Sequence, residues 1–370
     1  MKRVISALLL CALLCGVGTG CGSLFDRSFS SVTPHQEQAA SDEDAAVLRA
    51  ETYADLVSCV QHFVSMGQPS GTVHVYKYSG DIEADLEAAA AEVLTEDPLG
   101  AYALKNIEFR YSRIVSYYEC TFDFTYRRTR DDMASMISAY GTASIRDLLQ
   151  QTMSNFNPTL TIRTASYYAD QSALHALARE AYYSSPATAL GYPGIAISVY
   201  PESGATRIVE ISFTYDYWNR ETMLQWTQEV AAAAAQMAGQ DSAADRNVAW
   251  QLCSRLADNT DYDPEGSSSV HSALCQGQAD SEGIALAYLL LCQRSGISCQ
   301  LVQGTLDGVP HWWNLITLEG ISWQLDVTRG DGAEGFLHTD GEMETAGYNW
   351  SREDYPACTG VTDPEKISET

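Results

Sequence analysis

The chain has 370 residues, 45% hydrophobic and 19% charged, the composition of folded globular protein rather than of a disordered or collagen-like polymer. Its 22 Lys and Arg against 48 Asp and Glu give a formal charge of −26, and so negative a surface repels phosphate backbones and argues against nucleic acid as a partner. No apolar run reaches the roughly 18–20 residues that span a bilayer.

Lys2 and Arg3 precede an apolar stretch from Val4 to Val17, and Gly18, Thr19 and Gly20 stand just ahead of Cys21. That order predicts an export signal over residues 1–20, so the protein is expected to work outside the cytoplasm. A cysteine directly after small residues resembles the lipobox of bacterial lipoproteins. The resemblance implies that Cys21 is lipidated and ties the chain to the membrane from its outer face, although Gly18 stands where Leu is more usual. A plain secretory signal is the alternative. Residues 21–48 are rich in Ser, Gln, Asp and Glu without helical or strand periodicity, as in a flexible tether.

Of the 10 cysteines, Cys59, Cys120, Cys253, Cys275, Cys292, Cys299 and Cys358 remain once Cys11, Cys15 and Cys21 are set aside. An odd number cannot pair completely, no spacing is CxxC, and no His lies close in sequence to a Cys pair, so neither a structural metal nor a cofactor is expected.

Between Thr72 and Met223 the sequence repeats. Phe122–Tyr126 matches Ile211–Tyr215 at an offset of about 89–90 residues, and each is preceded by a strand-like opener (Thr72–Tyr78; Thr159–Thr164), a helix and a short alternating strand (Ile107–Tyr111; Ile195–Val199). Ile82, Leu86, Ala90 and Val93 fall at helical spacing, whereas Cys120, Phe122, Phe124 and Tyr126 alternate with polar residues as in a half-buried strand. The pattern predicts two βαββα modules over residues 49–156 and 157–240, closed by helices over about 133–153 and 222–237. His74 and His175 stand alone, and the many tyrosines suit either sheet faces or a recognition groove.

From Arg246 a new pattern begins, with Val248, Leu252 and Leu256 on one face of a helix, then the acidic loop Asp258–Ser269, which lacks the EF-hand pattern. The segment Ala273–Leu291, with Ser281-Glu-Gly-Ile-Ala285 opening an apolar helix, is similar to the nucleophile-bearing region of the bacterial transglutaminase-like superfamily, which shares the papain-like cysteine-protease fold. Gly296–Gly304, His311-Trp-Trp-Asn314 and Trp323 with Asp326-Val-Thr328 follow in the family's order. The resemblance implies an α+β domain over residues 241–370, a helix packed on an antiparallel sheet. It places His311 on the base, Asp326 on the orienter, and Trp312, Trp313, Asn314 and Trp323 around a substrate. The nucleophile position, a Cys in the family, falls on Ser281.

A helix N-terminus stabilises a developing anion, but by at most about 2 kcal/mol, too little to make a Ser hydroxyl ionise as a thiol does. Ser immediately before an apolar helix is also a preferred N-cap, a role for which Asp280 competes. Three readings follow: a non-catalytic protein that binds peptide or cell-wall ligands in the old cleft, an acyl transferase or amide hydrolase with a Ser281, His311 and Asp326 triad, and an envelope adaptor acting through its repeats.

Overall fold

The computed structural model describes residues 47–216, 219–239, 246–330 and 336–360. The expected export signal, Cys21 and nearly all of the expected tether lie outside the described residues. None of the described helices is long and apolar enough to cross a membrane.

The first unit runs β1 (Val47–Ala50), α1 (Tyr53–Ser65), β2 (Ser70–Tyr76), α2 (Ile82–Thr95), α3 (Pro98–Ala103), β3 (Leu104–Ile114) and β4 (Tyr117–Tyr126). Its sheet has the order β1-β2-β4-β3, with β1 parallel to β2 and the other pairs antiparallel. Helix starts follow local chemistry. Thr52 and Asp55 form a reciprocal capping box at α1, and Asp81 accepts from the first turn of α2. The apolar faces of both helices, including Leu56, Phe63, Leu86 and Val93, close over Val73, Val75, Cys120, Phe122 and Phe124. His74, on the other face, meets Glu119 at 3.3 Å and packs at a tilt against Tyr117, so it does not stand alone.

The second unit repeats this plan: α4 (Arg130–Ala134), β5 (Ile137–Ser138), α5 (Thr142–Ser154), β6 (Thr159–Ala165), α6 (Gln171–Tyr183), β7 (Gly194–Tyr200) and β8 (Thr206–Thr214), in sheet order β5-β6-β8-β7. The correspondence reaches single hydrogen bonds: Tyr126 donates to the Gln68 carbonyl, and Tyr215, 89 residues later, donates to that of Asn157. The observed unit is therefore βαβαββ rather than βαββα. The long helix expected over 133–153 is interrupted between Ala134 and Thr142 by β5 and by Gly141, whose φ of 122° other residues rarely adopt, and its second half becomes α5, opening the second sheet. Strand β5 has two residues, too few to show alternation.

Unit contacts are extensive. Tyr102 and Ala103 of the first unit bury against Ile208 on the outer face of the second sheet, and Arg128 bonds Glu210 at 2.5 Å.

The C-terminal part comprises α7 (Arg220–Ala238), α8 (Arg246–Asn259), β9 (Asp261–Tyr262), a π-helical turn (Ser272–Gln276), β10 (Gln278–Ala279), α9 (Ser281–Ser295), β11 (Ser298–Leu306), β12 (Val309–Leu318), β13 (Ile321–Leu325), α10 (Asp340–Thr345) and β14 (Tyr348–Asn349). The main sheet is antiparallel in the order β13-β12-β11-β14, while β9 and β10 form a small parallel ribbon. Helix α7, expected to close the second module, packs into the C-terminal core through Met223, Val230 and Ala234. Ile284, Ala287 and Tyr288 of α9 join the same core, whereas Leu286, one residue before Ala287, is fully buried in the core of the second unit. One helix thus belongs to two cores.

Leu286→Ala is expected to cost about 2–5 kcal/mol. Because α9 is shared, urea unfolding followed both by far-UV circular dichroism and by the fluorescence of the tryptophans, none of which lies in the second unit, should show the second unit and the C-terminal part melting in one transition. Two transitions, with the substitution moving only one, would contradict the shared core.

Candidate active site

Helix α9 begins at the cleft. Its N-cap is Asp280, whose carboxylate accepts from Gly283 N–H at 2.9 Å, so the cap expected of Ser281 is taken by its neighbour. Gly283 is required here, since a Cβ at that position would lie 2.9 Å from the Ser267 carbonyl oxygen. Ser281 is the first helical residue, 6% exposed, and its Oγ accepts from Trp312 N–H on β12 at 3.2 Å.

His311 sits near the start of β12, and its Nε2 meets Asp326 Oδ2 at 2.7 Å with both side chains buried. Asp326 follows the end of β13 and is surrounded by donors: Tyr348 OH at 2.6 Å to Oδ2, and Thr328 N–H at 2.9 Å and hydroxyl at 2.8 Å to Oδ1. Burial alone would push this carboxyl up, but the His311 ring, the Tyr348 hydroxyl and Thr328 outweigh it and hold the group below the ordinary carboxylate value. An aspartate so held fixes the imidazole tautomer, with the proton on Nε2 and Nδ1 left as the basic atom. Tyr262, Trp313 and Tyr348 ring the imidazole.

The structure thus brings His311 and Asp326 into direct contact, and brings Ser281 to the backbone next to His311 rather than to its ring. Of the four residues expected around a substrate, Trp312 lies beside Ser281 with its side chain partly exposed and packed on Tyr183. Trp313 and Asn314 are corrections, because β12 is covered on both faces. Trp313 is buried with Nε1 bonded to Gln324, and Asn314 is buried with its amide donating to the Ala285 carbonyl of α9. Trp323 packs at the edge of the C-terminal core.

Three further participants lie outside the residues to which the resemblance assigns a role. Tyr348 lies on a two-residue strand, 22 residues beyond the Asp326 that it supports. Tyr183, from α6 of the second unit, donates to Glu282 Oε1 at 3.0 Å. Glu282 itself, next to Ser281, has its carboxyl pushed up to about 7, chiefly by burial and further by Asp280, against the opposing hydrogen bonds of Tyr183 and Ser268. Elsewhere, buried His271 bonds Glu229 at 2.8 Å and stacks on Trp226. Cys275 in the π-helical turn is exposed, and partial burial with the nearby Glu229 pushes its thiol up, away from thiolate character. The seven described cysteines are all free thiols. Among the described residues no three His, Cys, Asp or Glu converge on a metal position.

Residues 231–325 match the family model of the Transglutaminase-like superfamily. That stretch is transglutaminase-like. It spans α8, α9 and the strands that carry His311, and ends one residue before Asp326. No curated protein matches the chain. Among solved structures, one of a TGase is 14% identical over 56% of this chain and 60% of its own, with a TM-score of 0.24. An inferred cysteine protease from Cytophaga hutchinsonii is 10% identical over 39% of this chain and 65% of its own, with a TM-score of 0.25. An inferred protease from Parabacteroides distasonis is 8% identical over 46% and 43%, with a TM-score of 0.22. The chain spans less than two thirds of each of these proteins, and likenesses at that level fix neither fold nor activity.

Two outcomes are expected of the buried carboxyls. Asp326 is held below its unfolded value, so the stability it contributes is present at neutral pH and lost as pH falls through the carboxylate range. Tyr348→Phe should therefore cost about 1–3 kcal/mol at pH 7 and less at pH 3, read from urea midpoints; an equal cost at both would contradict this account. Glu282 has the opposite sign, destabilising the fold as pH rises from 4.5 towards 7 by on the order of 3 kcal/mol. Glu282→Gln should flatten that part of the stability curve, and an unchanged slope would count against it.

Proposed function

We propose that this chain is an exported lipoprotein, anchored through Cys21, whose transglutaminase-like domain binds peptide or cell-wall-derived ligands without turning them over. The observation that carries the reading is the bonding of Ser281. Its oxygen accepts from the backbone at Trp312, and the His311 ring is bonded to Asp326. A serine without a base on its hydroxyl is a poor nucleophile, and the helix dipole does not make up the difference from a thiolate. Trp312, partly exposed beside Ser281, is the surface that a ligand would meet.

A second reading rests on a separate observation. Asp280 caps α9, which leaves the Ser281 hydroxyl proton uncommitted, and the His311 and Asp326 pair is fully assembled. A shift of the Ser281 side chain on ligand binding would complete a serine triad for acyl transfer or amide hydrolysis.

One comparison separates them. The mature protein, Ser281→Ala and Ser281→Cys are assayed for ammonia release and amine incorporation on glutaminyl and cell-wall peptides. Wild type is expected to be silent and Ser281→Cys to gain activity, while Trp312→Ala weakens peptide binding. Turnover by wild type that disappears in Ser281→Ala would overturn the binding reading in favour of a serine enzyme.

A further inference from the structure

We propose that Tyr183, the last residue of α6 in the second repeated unit, is a positioning residue for the Ser281 cleft; the inference rests on reading that cleft as the functional site. Its side chain touches both elements that define the cleft. The hydroxyl donates to Glu282 in the first turn of α9 at 3.0 Å, and the ring lies 5.0 Å from that of Trp312, the residue after His311 on β12. Tyr183 is thus bonded to the start of α9 and packed at a tilt against Trp312 at once.

Tyr183 is itself held. Tyr192 stacks nearly parallel to it at 6.3 Å and Tyr182 packs edge-on at 5.0 Å, while Tyr182 is fixed by the Gly191 N–H donating to its hydroxyl at 3.0 Å. The brace is therefore built from the second unit, and the contact joins residues 99 apart in sequence. Leu286, in the second turn of α9 and buried in the second unit's core, anchors the same helix from the same side. The second unit is then more than a spacer. It sets how the start of α9 lies against β12, and with it the separation of Ser281 from His311, where an error of about 1 Å costs as much as a hundredfold in reactivity.

The groups facing the Glu282 carboxyl are Asp280 and Ser268 from the C-terminal part, and Arg179, Tyr182 and Tyr183 from α6. Its elevation towards neutrality is the cost of burying it at this junction, and Tyr183 is the donor that the second unit supplies in return.

The test does not depend on knowing a ligand. In the full chain, Ser281→Cys places a thiol at the start of α9, and its alkylation by iodoacetamide is followed from pH 5 to 9. With Tyr183 intact the thiol should react well below the ordinary cysteine range, as a thiol beside a His base does. Tyr183→Ala should lower the rate at pH 6 by about tenfold or more. Tyr183→Phe, which keeps the ring on Trp312 and loses only the bond to Glu282, should lower it by less. A thiol with no low-pH reactivity in any background would overturn the reading of the cleft itself. A reactive thiol indifferent to both Tyr183→Phe and Tyr183→Ala would overturn the positioning role and leave that reading standing.

Discussion

The burial of α9 is the constraint on which the rest depends. This helix packs its Ile284, Ala287 and Tyr288 against α7 and α8, accepts at its Ala285 carbonyl from the Asn314 amide on β12, and sends Leu286 into the second unit. A helix covered on all sides can present only its ends, and the N-terminal end is where Asp280, Ser281 and Glu282 gather. The positive end of its dipole, a capping carboxylate, a hydroxyl and a buried carboxyl are thereby fixed within one turn. Strand β12 then brings His311 to the same level, because Asn314 locks its register to the helix.

The His311 and Asp326 pair shows what such a scaffold retains. Three donors besides the imidazole serve Asp326: the amide and hydroxyl of Thr328 close by in the chain, and the Tyr348 hydroxyl 22 residues on. A buried carboxylate left short of partners would be costly, so this network stabilises the fold whether or not a proton is ever passed along it. That is why an assembled pair does not by itself make an enzyme, and why the bonding of Ser281 decides between the two readings. The hydroxyl is poised at the helix start, yet its partner is a backbone amide.

Much of this was legible in the sequence where a local rule governs. The alternation of Cys120, Phe122 and Phe124, the helical spacing of Ile82, Leu86 and Val93, and the block from Ser281 to Asp326 each correspond to the element observed. What escaped involves surfaces rather than patterns. Trp313 and Asn314 looked like cleft residues because strand periodicity does not reveal that both faces of β12 are covered. The two-residue strand β5 is too short to alternate, so the periodicity marks the repeat only from its second strand onward. Tyr183 and Tyr348 act across 99 and 22 residues of chain, and no local pattern names the partners they reach.

The central claim is that Ser281 is not bonded to the His311 ring. It is tested most directly by nitrogen NMR of the protein labelled at histidine, comparing His311 in wild type and Ser281→Ala. The account predicts a proton on Nε2, held by Asp326, and ring shifts that are the same in both proteins. A displaced Nδ1 resonance in Ser281→Ala would reveal a hydrogen bond from Ser281 to the base and would contradict it.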